Sequence, residues 1–311
     1  MLQQLALTIA LKLGKILHCN IQEWSSFDRK SYFYPDLPSG YQITQYFKPT
    51  MIDGMFDCFI DNEFSISKSI RIRDAHMEVD TAKTTREGDN ILIDRNRSGT
   101  PLVEVVTEPD FRSADEVIGF LKTLQKSCQW NAISEAQLEA GQMRCDVNIS
   151  IRPQGSQSFG TRVEMKNMNS FSAIKRAIEV EYARQIQLLD AGMEVSQETR
   201  GRDDAVSESY VMRSKEDALD YRYMPEPDLP PLHMSHQMRS ELEGFSLLDP
   251  YSLTKDLKTQ HQFSKEYINS LLGDKEMFLF FQDAVRDGFD PKLVMQRLAG
   301  PVAKRMNEQQ I

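Results

Sequence analysis

The sequence predicts an α+β fold: a mostly antiparallel sheet domain with packed helices over residues 1–231, then a small all-α domain over residues 232–311. Three observations point there. Residues 144–152 alternate strictly, with Cys145, Val147, Ile149 and Ile151 on one face and Arg144, Asp146, Asn148, Ser150 and Arg152 on the other. A repeat of two belongs to a strand with one face buried. After Pro153, Gly155 and Gly160, the run Arg162, Val163, Glu164, Met165, Lys166 alternates again and reads as the returning strand of a hairpin. Beyond residue 232 the pattern changes to short runs at helical spacing: KEYINSLL, KEMFLFFQDAV and KLVMQRLAGPVAKRM.

The first twenty residues are apolar, with Lys12 and Lys15 and no acid. A targeting peptide has that composition. An amphipathic helix with Leu5, Ile9, Leu13, Ile16 and Leu17 on one side has it too, and is preferred because no small-residue cleavage signal or Arg-rich stretch follows. Residues 27–46 gather Tyr32, Phe33, Tyr34, Tyr41 and Tyr46 around a PDLPSG turn, an ordered loop in which Lys30 is either a ligand contact or a solvated cation. Residues 55–80 form two or three strands through a turn at Asp61-Asn62-Glu63. If the second strand persists, Asp74, His76, Glu78 and Asp80 share a face. Three carboxylates and an imidazole at that spacing suit a hard cation such as Mg²⁺ better than zinc, although a solvated acidic face has the same pattern.

In 94–110, Glu104 falls between Leu102 and Val106 on one face of an otherwise apolar strand. A carboxylate there is costly unless it is paired or bound to a metal, so Glu104 is the leading functional candidate of this half. Ser113 with Glu116 forms a capping box, and Val117, Phe120, Leu121 and Leu124 are the buried stripe of the helix that follows. A second helix carries Phe171, Ile174, Ile178, Tyr182 and Leu189 to a stop at Gly192, with Lys175, Arg176, Glu179 and Glu181 on its wet face. Residues 202–209 are polar and expected to be mobile, and YRYMPEPDLPP reads as a Pro-stiffened exit from the first domain.

The central hairpin would set four cations, two carboxylates and an amide on one pleated surface; a solvated sheet face also carries mixed charge. Lys166, Asn167 and Asn169 then lead into a helix N-terminus, where backbone N–H groups can hold an anion. The net charge is −9, so any grip on nucleic acid needs a local cationic patch or a partner that supplies the charge. Four scattered cysteines with no CxxC pair argue against a zinc site or a disulfide framework and for a reducing compartment. No run reaches the roughly 18 apolar residues of a membrane span.

Several tracts together carry a resemblance: FDRKSYFYPDLPSGYQITQY, HMEVDTAK, DRNRSGTPLVEVVTEPD, MRCDVNISIRP, GTRVEMKNMNSF, QETRG and MRSKEDALDYRYMPEPDLPPL. In order and over most of residues 1–232, they resemble the B subunit of the glutamyl/aspartyl-tRNA amidotransferase. The resemblance implies a cradle-shaped α+β domain followed by a helical domain. It implies a ligase reaction that converts Glu-tRNA(Gln) to Gln-tRNA(Gln). ATP and Mg²⁺ phosphorylate the tRNA-linked glutamate, an A-type amidase partner supplies ammonia from glutamine, and a small accessory subunit steadies the pair. It also implies that Glu104 is a metal ligand, that Lys30 and Tyr32 lie near the ammonia path, and that Arg144, Asp146, Asn148, Glu164 and Lys166 are catalytic. Asn167 and Asn169 would bind ATP or substrate.

The departures from the family pattern are specific. The family's Gly-Leu-Glu-Val-His strand and its tail domain are expected to be missing here, and Glu139-Ala140-Gly141 stands where the family has Glu-Glu-Gly. A family metal ligand is replaced by Val79, which leaves His76 and Glu78 of that motif as residues to which no ligand role is carried over. An incomplete Mg²⁺ site makes a non-catalytic assembly subunit of the same complex the rival reading. The family works in organelles and bacterial cytoplasm; the divergence of the motifs points to a mitochondrion, with bacterial cytoplasm as the alternative.

Overall fold

The computed structural model describes residues 4–203, 208–214, 220–302 and 305. Helix α1 (Gln4–Ile16) leads into β1 (Asn20–Ile21), β2 (Trp24–Ser25), β3 (Asp28–Ser31) and β4 (Tyr41–Thr44). Two long strands follow, β5 (Met51–Phe59) and β6 (Ser67–Val79). A separate hairpin, β7 (Lys83–Glu87) and β8 (Asn90–Asp94), precedes β9 (Pro101–Thr107). Helix α2 (Ala114–Trp130) comes before β10 (Val147–Ile149) and β11 (Val163–Met165), and α3 (Phe171–Asp190) before β12 (Glu198–Asp203) and β13 (Glu208–Ser214). After β14 (Met224–Pro225) and β15 (Leu232–His233) come α4 (His236–Gly244), α5 (Pro250–Thr259), α6 (Lys265–Gly273), α7 (Lys275–Arg286) and α8 (Pro291–Arg297). A π-helical turn, Leu298–Val302, follows α8.

The architecture is mixed α+β. One four-stranded sheet, β1-β5-β6-β9, is antiparallel throughout; a second, β10-β11-β12-β13, contains one parallel pair, β11 with β12. The main core lies between the first sheet and α1, α2 and α3, around Leu17, Met51, Phe56, Ile70, Ile72, Met165 and Ile174. A second core joins Trp130 at the end of α2 to Leu257, Ile268, Leu271, Phe278, Phe281 and Met295 of the later helices. No helix of the described residues is long and apolar enough to cross a membrane. The four cysteines are free, and burial pushes their thiols up to about 12.

Several sequence expectations need correction. Of the expected stripe of α1, Leu13, Ile16 and Leu17 are buried, Ile9 is half-buried and Leu5 is exposed, while Leu7, Ala10, Leu11 and Gly14 join the buried face. Gly14 decides this, because a Cβ there would lie 2.4 Å from Met51 Sδ, so the helix lays its bare glycine face on β5. The capping box on α2 is half formed: Ser113 accepts from Glu116 N at 3.2 Å, while Glu116 is turned to Arg112 N and to Lys68 Nζ. The expected buried stripe of α2 is buried as predicted.

On α3, Tyr182 and Leu189 are exposed, whereas Glu181, expected in solvent, is fully buried. Its carboxylate takes two hydrogen bonds from Arg184 and one from Gln185 Nε2, each 2.8 Å, and Arg200 of β12 lies 3.9 Å away. The central hairpin has the predicted partners but is shorter, three residues on each strand, which leaves Arg144 and Arg152 outside it. The polar stretch expected to be mobile joins β12 to β13, and its middle, 204–207, lies outside the described residues. YRYMPEPDLPP, expected as a Pro-stiffened exit, is anchored to the first domain. Its β14 pairs with β3, and buried Glu226 takes Arg29 in a two-pronged ion pair at 2.8 and 2.9 Å.

Candidate functional site

The antiparallel register of β6 and β9 sets His76 directly opposite Glu104 and Glu78 opposite Leu102. Successive residues of β6 point to opposite faces, so Ala75 and Met77 enter the core while Asp74, His76 and Glu78 line the other side. His76 Nε2 is 3.5 Å from Glu104 Oε2, and His76 Nδ1 is 2.7 Å from Asp74 Oδ1. One ligating atom each from His76, Glu78 and Glu104 falls within 4.8 Å of the others. Glu104 is not the buried carboxylate expected from its apolar neighbours: it stands on an edge strand with its side chain 51 % exposed.

The charges of this cluster are strongly coupled. Burial, reinforced by the Glu104 charge, pushes the Glu78 carboxyl up to about 7. Burial opposes the His76 cation, but hydrogen bonds to Asp74 and Glu104 outweigh it and raise the imidazole to about 9. The His76 hydrogen bond holds Glu104 below the usual carboxylate range. Asp74, against the cost of burial, is also held low by His76 and Arg73. Two crowded carboxylates, with an imidazole whose far nitrogen is oriented by a third, form a donor set that fits a divalent cation. Binding one would release the His76 proton. Val79 lies on the core side of β6, away from the three ligating groups, and its carbonyl accepts from Gln42 Nε2 at 2.8 Å.

Lys30 of β3 reaches the same place. Its charge stabilises both Glu78 and Glu104, and its Nζ lies 4.8 Å from the ring centre of Tyr221 and 5.9 Å from that of Tyr32. The Tyr32 phenol is raised, first by burial and then by Asp36.

The hairpin residues form a second cluster. Asn148 is paired opposite Glu164. Lys166 Nζ lies 2.8 Å from Asp146 Oδ2 and 3.4 Å from Glu164 Oε1, while Thr199 Oγ1 donates to Glu164 Oε2 at 2.9 Å. Burial weakens the Lys166 cation, but Asp146 and Glu164 outweigh it and raise its pKa. Asn167, in the left-handed region at φ 63°, and Asn169 stand exposed before Ser170, which caps α3 by accepting from Ala173 N at 3.1 Å. Among the described residues no hydrogen bond or ion pair joins Glu104 to Asp146, Asn148, Glu164 or Lys166.

The link between the clusters is Asp80. β6 ends at Val79, so Asp80 stands just beyond the strand, where its charge still acts on Glu78. Its buried carboxylate turns to Arg144, which grips both oxygens at 3.0 Å, and to Arg97 at 3.0 Å. Arg144 is therefore a strut between β6 and the hairpin tract. The spacing along β6 already groups Asp74, His76, Glu78 and Asp80 as a hard-cation set, although the resemblance carries no ligand role to His76 and Glu78; Thr199, Tyr221 and Tyr223 are not singled out. The alternation at 74–78 was the available signal, but the register that brings Glu104 beside it belongs to the pairing of two distant segments.

Carboxylates, an imidazole and a lysine thus gather at one face of the first sheet, in a mixed α+β domain. Residues 1–240 match the GatB/GatE catalytic domain, and the chain belongs to that family. It is 43% identical over 286 residues, 90% of this chain, to the B subunit of the aspartyl/glutamyl-tRNA(Asn/Gln) amidotransferase of Symbiobacterium thermophilum. It is 40% identical over 311 residues, 100% of this chain, to the protein of that name from Persephonella marina, and 41% over 298 residues, 96% of this chain, to that of Limosilactobacillus reuteri. The chain spans 58%, 65% and 62% of the length of these three relatives.

Proposed function

We propose that this chain carries the carboxylate-activating site of a B-type subunit of the tRNA-dependent amidotransferase. In this reading residues 1–231 are the cradle-shaped catalytic domain and 232–311 a helical domain. The substrate is Glu-tRNA(Gln); the relatives' name covers aspartyl as well as glutamyl substrates. The observation that carries the reading is the convergence of His76, Glu78, Glu104 and Lys30 on one face, tied through Asp80 and Arg144 to the hairpin.

The reaction asks the tRNA-linked glutamate to attack the γ-phosphorus of ATP. The bond to ADP breaks and an acyl phosphate forms. Ammonia then adds to the acyl carbon, phosphate leaves, and the nitrogen loses its extra proton. His76, Glu78 and Glu104 would hold Mg²⁺, which when bound neutralises charge on the phosphate oxygens. Lys30 adds a fixed cation at the same face, where charge develops. Lys166, Asn148 and the Asn167–Asn169 tract offer donors to phosphate or to the substrate carboxylate. In this reading the half-buried Lys30, Tyr32 and Tyr221 would border the ammonia path.

The partners in this reading are an A-type amidase and a small accessory subunit. The three relatives named above are bacterial proteins, which does not support the mitochondrial expectation, and we place the protein in bacterial cytoplasm. The test is to combine the chain with the amidase, glutamine, Mg-ATP and Glu-tRNA(Gln). Gln-tRNA(Gln) is the expected product. Absence of product together with absence of saturable Mg-ATP binding would establish the non-catalytic assembly role instead.

A further inference from the structure

A row of rings runs outward from the half-buried Lys30. Tyr32, Tyr221, Tyr223, Tyr46 and Phe47 follow one another at centroid distances of 5.7, 6.0, 3.9 and 5.1 Å. The inner end is partly covered; at the outer end Tyr46 and Phe47 are each 58% exposed. Tyr46 lies flat on Tyr223, with 7° between the ring planes, so one face is covered and the exposure belongs to the other. Phe47 stands edge-on to both rings, at 79° to Tyr46 and 74° to Tyr223, and walls one side of that open face.

The two exposed rings are held in place from below. Asp28, 1% exposed, accepts the backbone N–H of Tyr46 at 2.8 Å and of Phe47 at 3.0 Å. The turn is closed again by Ser26 N donating to Lys48 O at 3.2 Å. A buried carboxylate placed under two consecutive amides fixes the backbone while leaving both rings in water, a pre-organised aromatic surface. The platform is linked to the candidate site through Tyr221, whose ring lies 4.8 Å from Lys30 Nζ and 6.0 Å from the ring of Tyr223. Lys48, the next residue and exposed, adds a cation at its edge. An open ring face, an edge-on wall and a neighbouring cation are the parts that hold a nucleotide by its base and its phosphate.

We propose that Tyr46 and Phe47, backed by Tyr223, form a stacking platform for an adenine base, with Lys48 set against the phosphate of the same nucleotide. The inference rests on the proposed function, which brings two adenine carriers to this face: ATP and the 3′-terminal adenosine of the tRNA.

The experiment measures two fluorescent probes on the full chain assembled with its amidase. One is etheno-ATP; the other is a tRNA acceptor minihelix whose terminal adenosine is replaced by 2-aminopurine. Stacking of one base on an aromatic side chain makes Tyr46→Ala weaken one probe by about 5- to 150-fold. Tyr46→Trp should restore it to within about threefold, and Phe47→Ala, which removes only the wall, should weaken the same probe. The probe that responds identifies the carrier. Unchanged affinity for both probes in Tyr46→Ala and Phe47→Ala overturns the proposal, as does failure of the unsubstituted chain to bind either probe. Loss of amidase assembly with probe affinities intact overturns it as well, and marks the rings as a protein interface. Stacking that responds as expected in an assembly that makes no Gln-tRNA sinks the proposed function and leaves the platform standing.

Discussion

Asp80 is the joint between the two halves of the candidate site, and its replacement by alanine has a calculable effect. The substitution removes the acceptor for Arg144 Nη1 and Nη2 at 3.0 Å each, for Arg97 at 3.0 Å and for Thr81 N at 2.9 Å. Fully buried charge-assisted hydrogen bonds are worth about 1.5–3 kcal/mol each. The side chains of Arg144 and Arg97 are 59% and 38% exposed, so both guanidinium groups regain water when released. The net loss should be about 2–3 kcal/mol, which for a chain of this size lowers the melting midpoint by roughly 3–5 °C. Asp80→Asn keeps the shape but presents one acceptor oxygen, and should lose about half as much. Thermal unfolding of the two variants, with turnover of Glu-tRNA by the assembled complex, reads both consequences. Activity should fall further than stability accounts for at a temperature where the variants remain folded, because the hairpin is no longer pinned to β6. A midpoint within about 1 °C of the unsubstituted chain, with unchanged turnover, would refute the reasoning.

Three further outcomes follow from single contacts. Glu181→Ala should cost about 3–5 kcal/mol by stranding Arg184 and Gln185, whereas Glu179→Ala on the solvent side of the same helix should stay within about 0.5 kcal/mol; equal urea midpoints would contradict the assignment. Arg29 holds Glu226 below its ordinary pKa, so the pair's contribution is full above the unfolded carboxylate range, near pH ~4.3, and is lost as pH falls through the lower folded value. The stability gap between the unsubstituted chain and Glu226→Gln should therefore be flat above pH ~5 and close in acid; a gap that widens in acid has the wrong sign. Gly14→Ala puts a Cβ 2.4 Å from Met51 Sδ and should cost about 1–3 kcal/mol, part of it recovered when Met51→Ala is added.

What the sequence could reveal was set by range. The central hairpin was legible because alternation is a property of adjacent residues, and Cys145 to Ile151 spell it out. The α2 stripe was legible for the same reason, as helical spacing repeats within one element. Burial of Glu181 was not legible. Its position looks solvated by periodicity, and only the arrival of β10 and β12 against α3 turns it inward. There Gln185 also accepts from Ile151 N at 3.2 Å and donates to Ile149 O at 3.3 Å, standing in for a neighbouring strand at the sheet edge. The exposure of Glu104 escaped for a related reason, because an edge strand and a central one share the same pattern of residues. The tract around Tyr221 and Glu226 read as a linker from its prolines, yet Pro225 sits on a short edge strand, a place where a missing N–H does no harm.

The central claim is that the face bearing His76, Glu78, Glu104 and Lys30 transfers phosphate to a tRNA-linked glutamate. The most direct measurement is single-turnover release of ADP from radiolabelled ATP by the assembled complex, with Glu-tRNA(Gln) present and glutamine and ammonia withheld. The account predicts a burst of ADP that requires Glu-tRNA(Gln) and falls at least about 100-fold in Glu104→Gln. A burst of equal size without the tRNA, or one that Glu104→Gln leaves intact, would contradict it.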